Sequence, residues 1–306
     1  MDIQGQRRSD NFEDRGRGAG GAGAAGIPIA LLSVLARRFG LRGMLVLAVI
    51  GGIAYFVLPD SLRQMLFGAV TGNGSTAPSG GPEGGVCQAS PGNASACDFS
   101  RAVLGSTEDV WKSAFEQGRL PRYGRQPSTY QEPRLAVFTD NVTTNGCGSA
   151  SSDAGPFYCP ADGLLYIDPS FYDVMERRLK APGDFAQAYV IAHEVGHHVQ
   201  HLIGSTQVAR KGESKNQQSV RIELQADCFA GVWGHTAKAS LKITEEDLRE
   251  ALNAAHAIGD DALGHQDSDD YTHGTSAQRM KWFRAGFDGG DARRCDTFAV
   301  DNYAEL

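Results

Sequence analysis

The chain has 306 residues, 41% hydrophobic and 21% charged, enough for one substantial folded domain with extensions. Its net charge is −7, and residues 1–42 hold seven arginines against four acids, so +3 there leaves −10 on the remainder. An acidic body excludes a basic nucleic-acid-binding protein, and no nucleic acid is expected as a partner.

Residues 1–42 are basic, polar and then Gly/Ala-rich, and are expected to be largely disordered on the cytoplasmic side. The apolar run Ile27–Ala36, broken by Pro28, is too short to span a bilayer and suits its interface. Gly43–Leu58 carries no charge. It falls a little short of the roughly 20 residues of a usual span, a deficit that Leu41, a snorkelling Arg42 and bilayer thinning can cover. A single transmembrane anchor is therefore predicted over 43–59. A cleaved signal peptide is the rival, but Leu58-Pro59-Asp60-Ser61-Leu62-Arg63 offers no small-x-small site. The arginines upstream place the N-terminus in the cytoplasm and the body on the exported side, periplasmic or extracellular. Residues 60–96 include the Gly/Ser/Pro-rich stretch Thr71–Gly85 and read as a flexible linker.

The folded domain is expected over 97–306. Ser95 or Asp98 caps a helix to about Gln117, with Val103, Val110, Trp111 and Phe115 on its apolar face. Arg134–Thr139 and Leu164–Asp168 read as strands, separated by a polar loop from Asn141 to Asp162. Phe171–Leu179 is a short helix, and Asp184 after Gly183 opens a longer one. Gly204–Asn216 is a polar connection into a helix over 217–240. Thr244-Glu245-Glu246-Asp247 is a capping box for a helix to about Ile258. Ser276 caps a last helix.

The six cysteines all follow the apolar segment, and none lies in a CxxC or zinc-ribbon spacing. An even number on the exported side predicts disulfides. Short loops close most easily, which favours Cys147 with Cys159 and Cys87 with Cys97, and leaves Cys228 with Cys295.

The chemistry concentrates in Ala192-His193-Glu194-Val195-Gly196-His197-His198-Val199-Gln200. On a helix, His193 and His197 share one face one turn apart. Two imidazoles so placed can hold one zinc ion, with Glu194 as general base. A third ligand is needed. The HExxHxxGxxH answer is absent, because Gln200 and Ile203 occupy its last two positions. His201 drifts off the face and His198 points about 140° away from His193. Downstream, Glu223 and Asp227 are again four apart among Leu224, Phe229 and Trp233. One carboxylate can complete the metal site, and the other can accept the spare N–H of a histidine ligand.

HEVGHHVQ followed by ELQADCFAGVW resembles the neutral zinc metallopeptidase family of bacteria, a gluzincin-like group. Gln4–Asn11, Pro156–Asp162 and Thr272–Ser276 extend the resemblance over nearly the whole chain. It implies one zinc held by His193, His197 and Glu223, with Glu194 as base and Asp227 behind a ligand. It also implies an α+β, mostly helical, zincin-like domain with a small sheet.

Zincin-like folds carry an edge strand beside the metal helix that receives substrate, and the 164–168 strand suits that role by position. The loop Gly259–Thr275 holds Asp260, Asp261, His265, Asp267, Asp269, Asp270, Tyr271 and His273. It lacks the order of a calcium loop and is expected to be solvated. His273 or Tyr271 is a candidate donor to a tetrahedral intermediate. The expected activity is zinc-dependent hydrolysis of peptide bonds in a peptide or protein substrate. Two alternatives stand beside it: a non-catalytic zinc-stabilised interaction module, and a zinc hydrolase of non-peptide amides.

Overall fold

Strand β1, Phe12–Arg17, opens the architecture and lies in the middle of a region expected to be disordered. The computed structural model describes residues 1–17, 85–124 and 127–306. The expected anchor at 43–59 and most of the linker lie outside the described residues, among which no helix is long and apolar enough to cross a membrane. The expectation of disorder fails for residues 1–17. Polar composition hid a segment that is fixed mainly by hydrogen bonds and ion pairs: Ser9 is fully buried and binds Glu108 through its hydroxyl at 2.5 Å.

Helix α1, Pro91–Glu116, begins earlier than expected because Ser90 rather than Ser95 or Asp98 caps it, accepting from the Asn93 N–H with Pro91 at the first turn. Strands β2 (Arg134–Thr139) and β6 (Leu164–Ile167) match the two predicted ones. The predicted loop between them is not featureless. It holds a hairpin, β3 (Asn141–Thr143) with β4 (Ser149–Ser151), and then β5 (Phe157–Cys159). Each is three residues long, too short for alternation to show in sequence.

The main sheet runs β1-β2-β6-β5, parallel through its first three strands, with β5 antiparallel to β6. Both faces are covered, which explains why β2 and β6 read as continuous apolar runs. Leu135, Val137, Leu165 and Ile167 face the helical core, while Ala136, Phe138, Leu164 and Tyr166 pack on the opposite side with Val142 and Cys159. Strand β6 is interior. The expected substrate-receiving edge at 164–168 is therefore corrected: the edge beside the metal helix is β5.

The helical layer comprises α2 (Phe171–Arg177), α3 (Asp184–Ile203), α4 (Lys215–Ala237), α5 (Glu245–Ala257) and α6 (Ser276–Gly289). Helix α5 carries the predicted capping box, and α6 is capped by Thr275, one residue before the expected Ser276. Two glycines let α4 and α6 cross at backbone contact. A Cβ at Gly286 would overlap the Cys228 carbonyl, and one at Gly231 would overlap that of Phe283. The disulfide Cys228–Cys295 ties α4 to the C-terminal segment, and Cys87–Cys97 and Cys147–Cys159 complete the three expected pairings. The architecture is thus mixed α and β, helix-rich with a small sheet.

Candidate metal centre

Helix α3 is almost wholly buried, so its polar residues must find partners inside the fold. His193 and Glu194 are buried and His197 half-buried. Between the two histidines, Gly196 lets α3 lie directly on α4: a Cβ there would stand 3.0 Å from the Ala226 carbonyl oxygen. That close approach brings Glu223 and Asp227 of α4 under the imidazoles.

Glu223 and Asp227 then divide their work. His193 Nε2 lies 3.1 Å from Glu223 Oε2, and His197 Nε2 lies 3.4 Å from Glu223 Oε1. Tetrahedral zinc with ligands at about 2.0–2.1 Å sets them roughly 3.3 Å apart, so these spacings fit one ion. Among the described residues, His193, His197 and Glu223 form a cluster whose donor atoms all fall within 4.8 Å of one another. Asp227 lies behind His193, whose Nδ1–H donates to Asp227 Oδ1 at 2.9 Å. The other ligand has a different backing, since His197 Nδ1–H donates to the Gln200 side-chain oxygen at 2.9 Å. With Nδ1–H so engaged, the neutral rings would offer both Nε2 lone pairs to a metal. In the metal-free pocket the Nε2–H of a protonated His193 donates to Glu223.

Asp227 has no exposed surface, and its charge is balanced by Arg279 of α6. The guanidinium grips it in bidentate fashion, Nε to Oδ2 at 2.9 Å and Nη2 to Oδ1 at 3.0 Å. Tyr189 of α3 adds a hydroxyl donor to Asp227 at 2.5 Å. Burial would raise the Asp227 pKa, but Arg279 and His193 hold it below the ordinary value. Burial would likewise lower His193, yet the charge and hydrogen bond of Asp227 and the bond to Glu223 outweigh it and lift the ring to about 10. The metal-free pocket thus draws a positive charge to the point where the three donors converge. Burial raises the Glu194 carboxyl, an environment suited to a group that must take and return a proton.

His193, Glu194, His197 and Glu223 line an open cleft of about 910 Å³. Its walls include Phe157 and Tyr158 of β5, Phe171 and Val174 of α2, and Ile258, Leu263 and His273 from the far side. His273 is half exposed, and its Nδ1–H donates to Asp260 Oδ1 at 3.1 Å. Asp260, read in the sequence as one of many solvated acids, is buried. It accepts the backbone N–H groups of Thr272, His273 and Gly274 at 2.8–2.9 Å. The loop is therefore built around one carboxylate that presents His273 to the cleft. Tyr271, the other candidate donor, points its hydroxyl back to the His265 carbonyl within its own loop. His198 is held away from the metal position by the Gln131 carbonyl and the Tyr158 hydroxyl, and burial pushes it down to about 4.

Arg279, Gln200, Tyr189 and Asp260 were not singled out in the sequence as functional. Arg279 left one signal: it shares the helical spacing of the buried Trp282, Phe283 and Gly286, where a charge needs a buried partner.

An HExxH helix converging with a downstream glutamate in an open, partly apolar cleft brings together three donors that could hold one metal ion. The chain belongs to the family described as "Putative neutral zinc metallopeptidase", which it matches over residues 1–298. It is 44% identical to the Escherichia coli K12 protein named "Uncharacterized protein YpfJ", over 97% of this chain and 99% of that one. It is 40% identical to the Mycobacterium tuberculosis H37Rv protein named "Uncharacterized protein Rv2575", over 65% of this chain and 69% of that one. No solved structure matches the chain.

Proposed function

We propose that this chain is a zinc-dependent peptidase with a zincin-like, gluzincin-type site, hydrolysing peptide bonds in an extended substrate. The observation that carries the reading is the meeting of His193, His197 and Glu223 with Glu194 in one open cleft. Zinc held by the two Nε2 atoms and the Glu223 carboxylate would supply Lewis acidity toward the scissile carbonyl and acidify a water.

The protein's own groups do the rest. The Glu194 carboxylate accepts a proton from the attacking water and returns it to the departing amine. His273, oriented by Asp260 through Nδ1–H, would in its doubly protonated form also carry an Nε2–H, which it would offer to the oxygen that becomes negative as the carbonyl is attacked. Strand β5 lies at the end of its sheet and lines the cleft, so a peptide can add to it as a further antiparallel strand. The apolar walls of Phe157, Phe171 and Val174 suit a hydrophobic side chain next to the scissile bond.

Glu194→Gln tests this directly. The variant is expected to keep one zinc per chain and its fold while losing peptide hydrolysis by orders of magnitude. Unchanged turnover would remove Glu194 as base. A wild-type protein that holds zinc but cleaves no member of a broad peptide library would favour the interaction module. Cleavage of non-peptide amides alone would favour the other hydrolase.

A further inference from the structure

Residues 1–17 and the body that carries the metal site share one fold. Strand β1 pairs with β2, Phe12 opposite Leu135 and Asp14 opposite Val137. The Ser9 N–H donates to the Arg101 carbonyl at 3.0 Å, and the Asp2 N–H to that of Leu241 at 2.8 Å. Arg7 and Asn11 both reach the buried Glu108 of α1, at 2.7 and 2.9 Å. Gly105 of α1 marks how tightly this segment lies, since a Cβ there would stand 2.9 Å from the Arg7 carbonyl oxygen.

The described chain stops at Arg17 and resumes at Gly85 beside the same strand. Both ends meet at one side chain: the Asp14 carboxylate accepts the Val86 and Cys87 N–H groups at 2.8 and 2.9 Å. The uncharged sequence Gly43–Leu58 belongs to the part of the chain between those two points. A single crossing there would put β1 on the opposite side of the bilayer from β2 and leave Glu108 without its partners. Exchange with a second copy does not rescue it, because residues 1–17 of that copy would be stranded on the wrong side too.

We propose that residues 1–17 and 85–306 lie together on the exported face of a membrane. The three disulfides, with no free cysteine among the described residues, choose the oxidising side. The expected cytoplasmic N-terminus is replaced by an exported one. The proposal does not depend on the peptidase reading.

The test uses the full chain in bacterial spheroplasts, with Asp10→Cys and Asp301→Cys made separately. Both side chains are fully exposed and far in sequence from the metal ligands. Peptide mapping that finds the three native disulfides intact verifies the fold of each variant. A membrane-impermeant maleimide should label both cysteines in intact spheroplasts as completely as after lysis. Labelling of position 301 when intact, with position 10 reached only after lysis, would establish a single crossing and overturn the proposal. Protection of both until lysis would overturn the exported location.

Discussion

Replacing Asp227 by Asn separates two roles that one side chain performs. The acid backs His193 and also neutralises Arg279, which is only 2% exposed. Loss of an outer partner of a ligating histidine typically weakens metal binding about 10–100-fold, or roughly 1.4–2.8 kcal/mol. Loss of one member of a buried ion pair costs more, about 3–5 kcal/mol, because the surviving charge stays buried without compensation. Asp227→Asn should therefore destabilise the metal-free protein by several kcal/mol while weakening zinc by less. Adding Arg279→Met removes the orphaned charge with a side chain of similar reach, so the double variant should recover most of the stability. It should not recover zinc affinity, since His193 Nδ1–H still faces a neutral amide. Urea unfolding of the metal-free protein and zinc competition against a chromophoric chelator measure the two quantities. If Asp227→Asn shifts stability by less than about 0.5 kcal/mol, in the range of ordinary surface changes, the ion pair does not hold α6 as described. If the double variant regains full zinc affinity, the weakening came from the stranded guanidinium and not from the lost acceptor.

Gln200→Leu should weaken zinc about 10–100-fold through His197 alone. It should also destabilise the protein, because the Ile222 carbonyl loses its 2.6 Å donor; a chelator titration equal to wild type would show that the amide does not set the ring. His273→Ala should lower kcat for peptide hydrolysis by about 10²–10³ with zinc content unchanged, as for removal of one donor to a developing oxyanion. Full turnover in that variant would make the Asp260–His273 pair a loop clasp only.

The histidines were legible because their spacing is a local property of one helix. The disulfides were legible because short loops left only one remaining pair. Which of Glu223 and Asp227 binds metal was not decided by spacing, since both share a face of α4. Side-chain length and surroundings distinguish the two acids. The longer Glu223 is partly open and sets an oxygen against each Nε2, whereas both oxygens of Asp227 are already held by Arg279, Tyr189 and His193. Arg279 comes from a helix fifty-two residues further on, and no local pattern could place it there. Residues 1–17 failed for a related reason. Their fixed positions depend on buried Glu108 and on a parallel strand more than a hundred residues away, so composition alone read them as unstructured.

Charge explains why these pieces had to be gathered from three helices. Glu194, Glu223 and Asp227 are carboxylates, and Arg279 is the nearest guanidinium to Asp227 and Glu223. With both histidines neutral, the group retains two uncompensated negative charges in a buried setting, as many as one divalent cation supplies. Without a metal, a proton on His193 offsets only part of that deficit, which agrees with its displacement to about 10. Were Arg279 absent, the deficit would be larger and Asp227 would be driven toward protonation, losing its role as acceptor. Were Asp227 absent as well, His193 would be free to turn. The guanidinium on α6 therefore acts at a distance: it keeps an acid ionised so that a neutral imidazole can face the metal position with its lone pair.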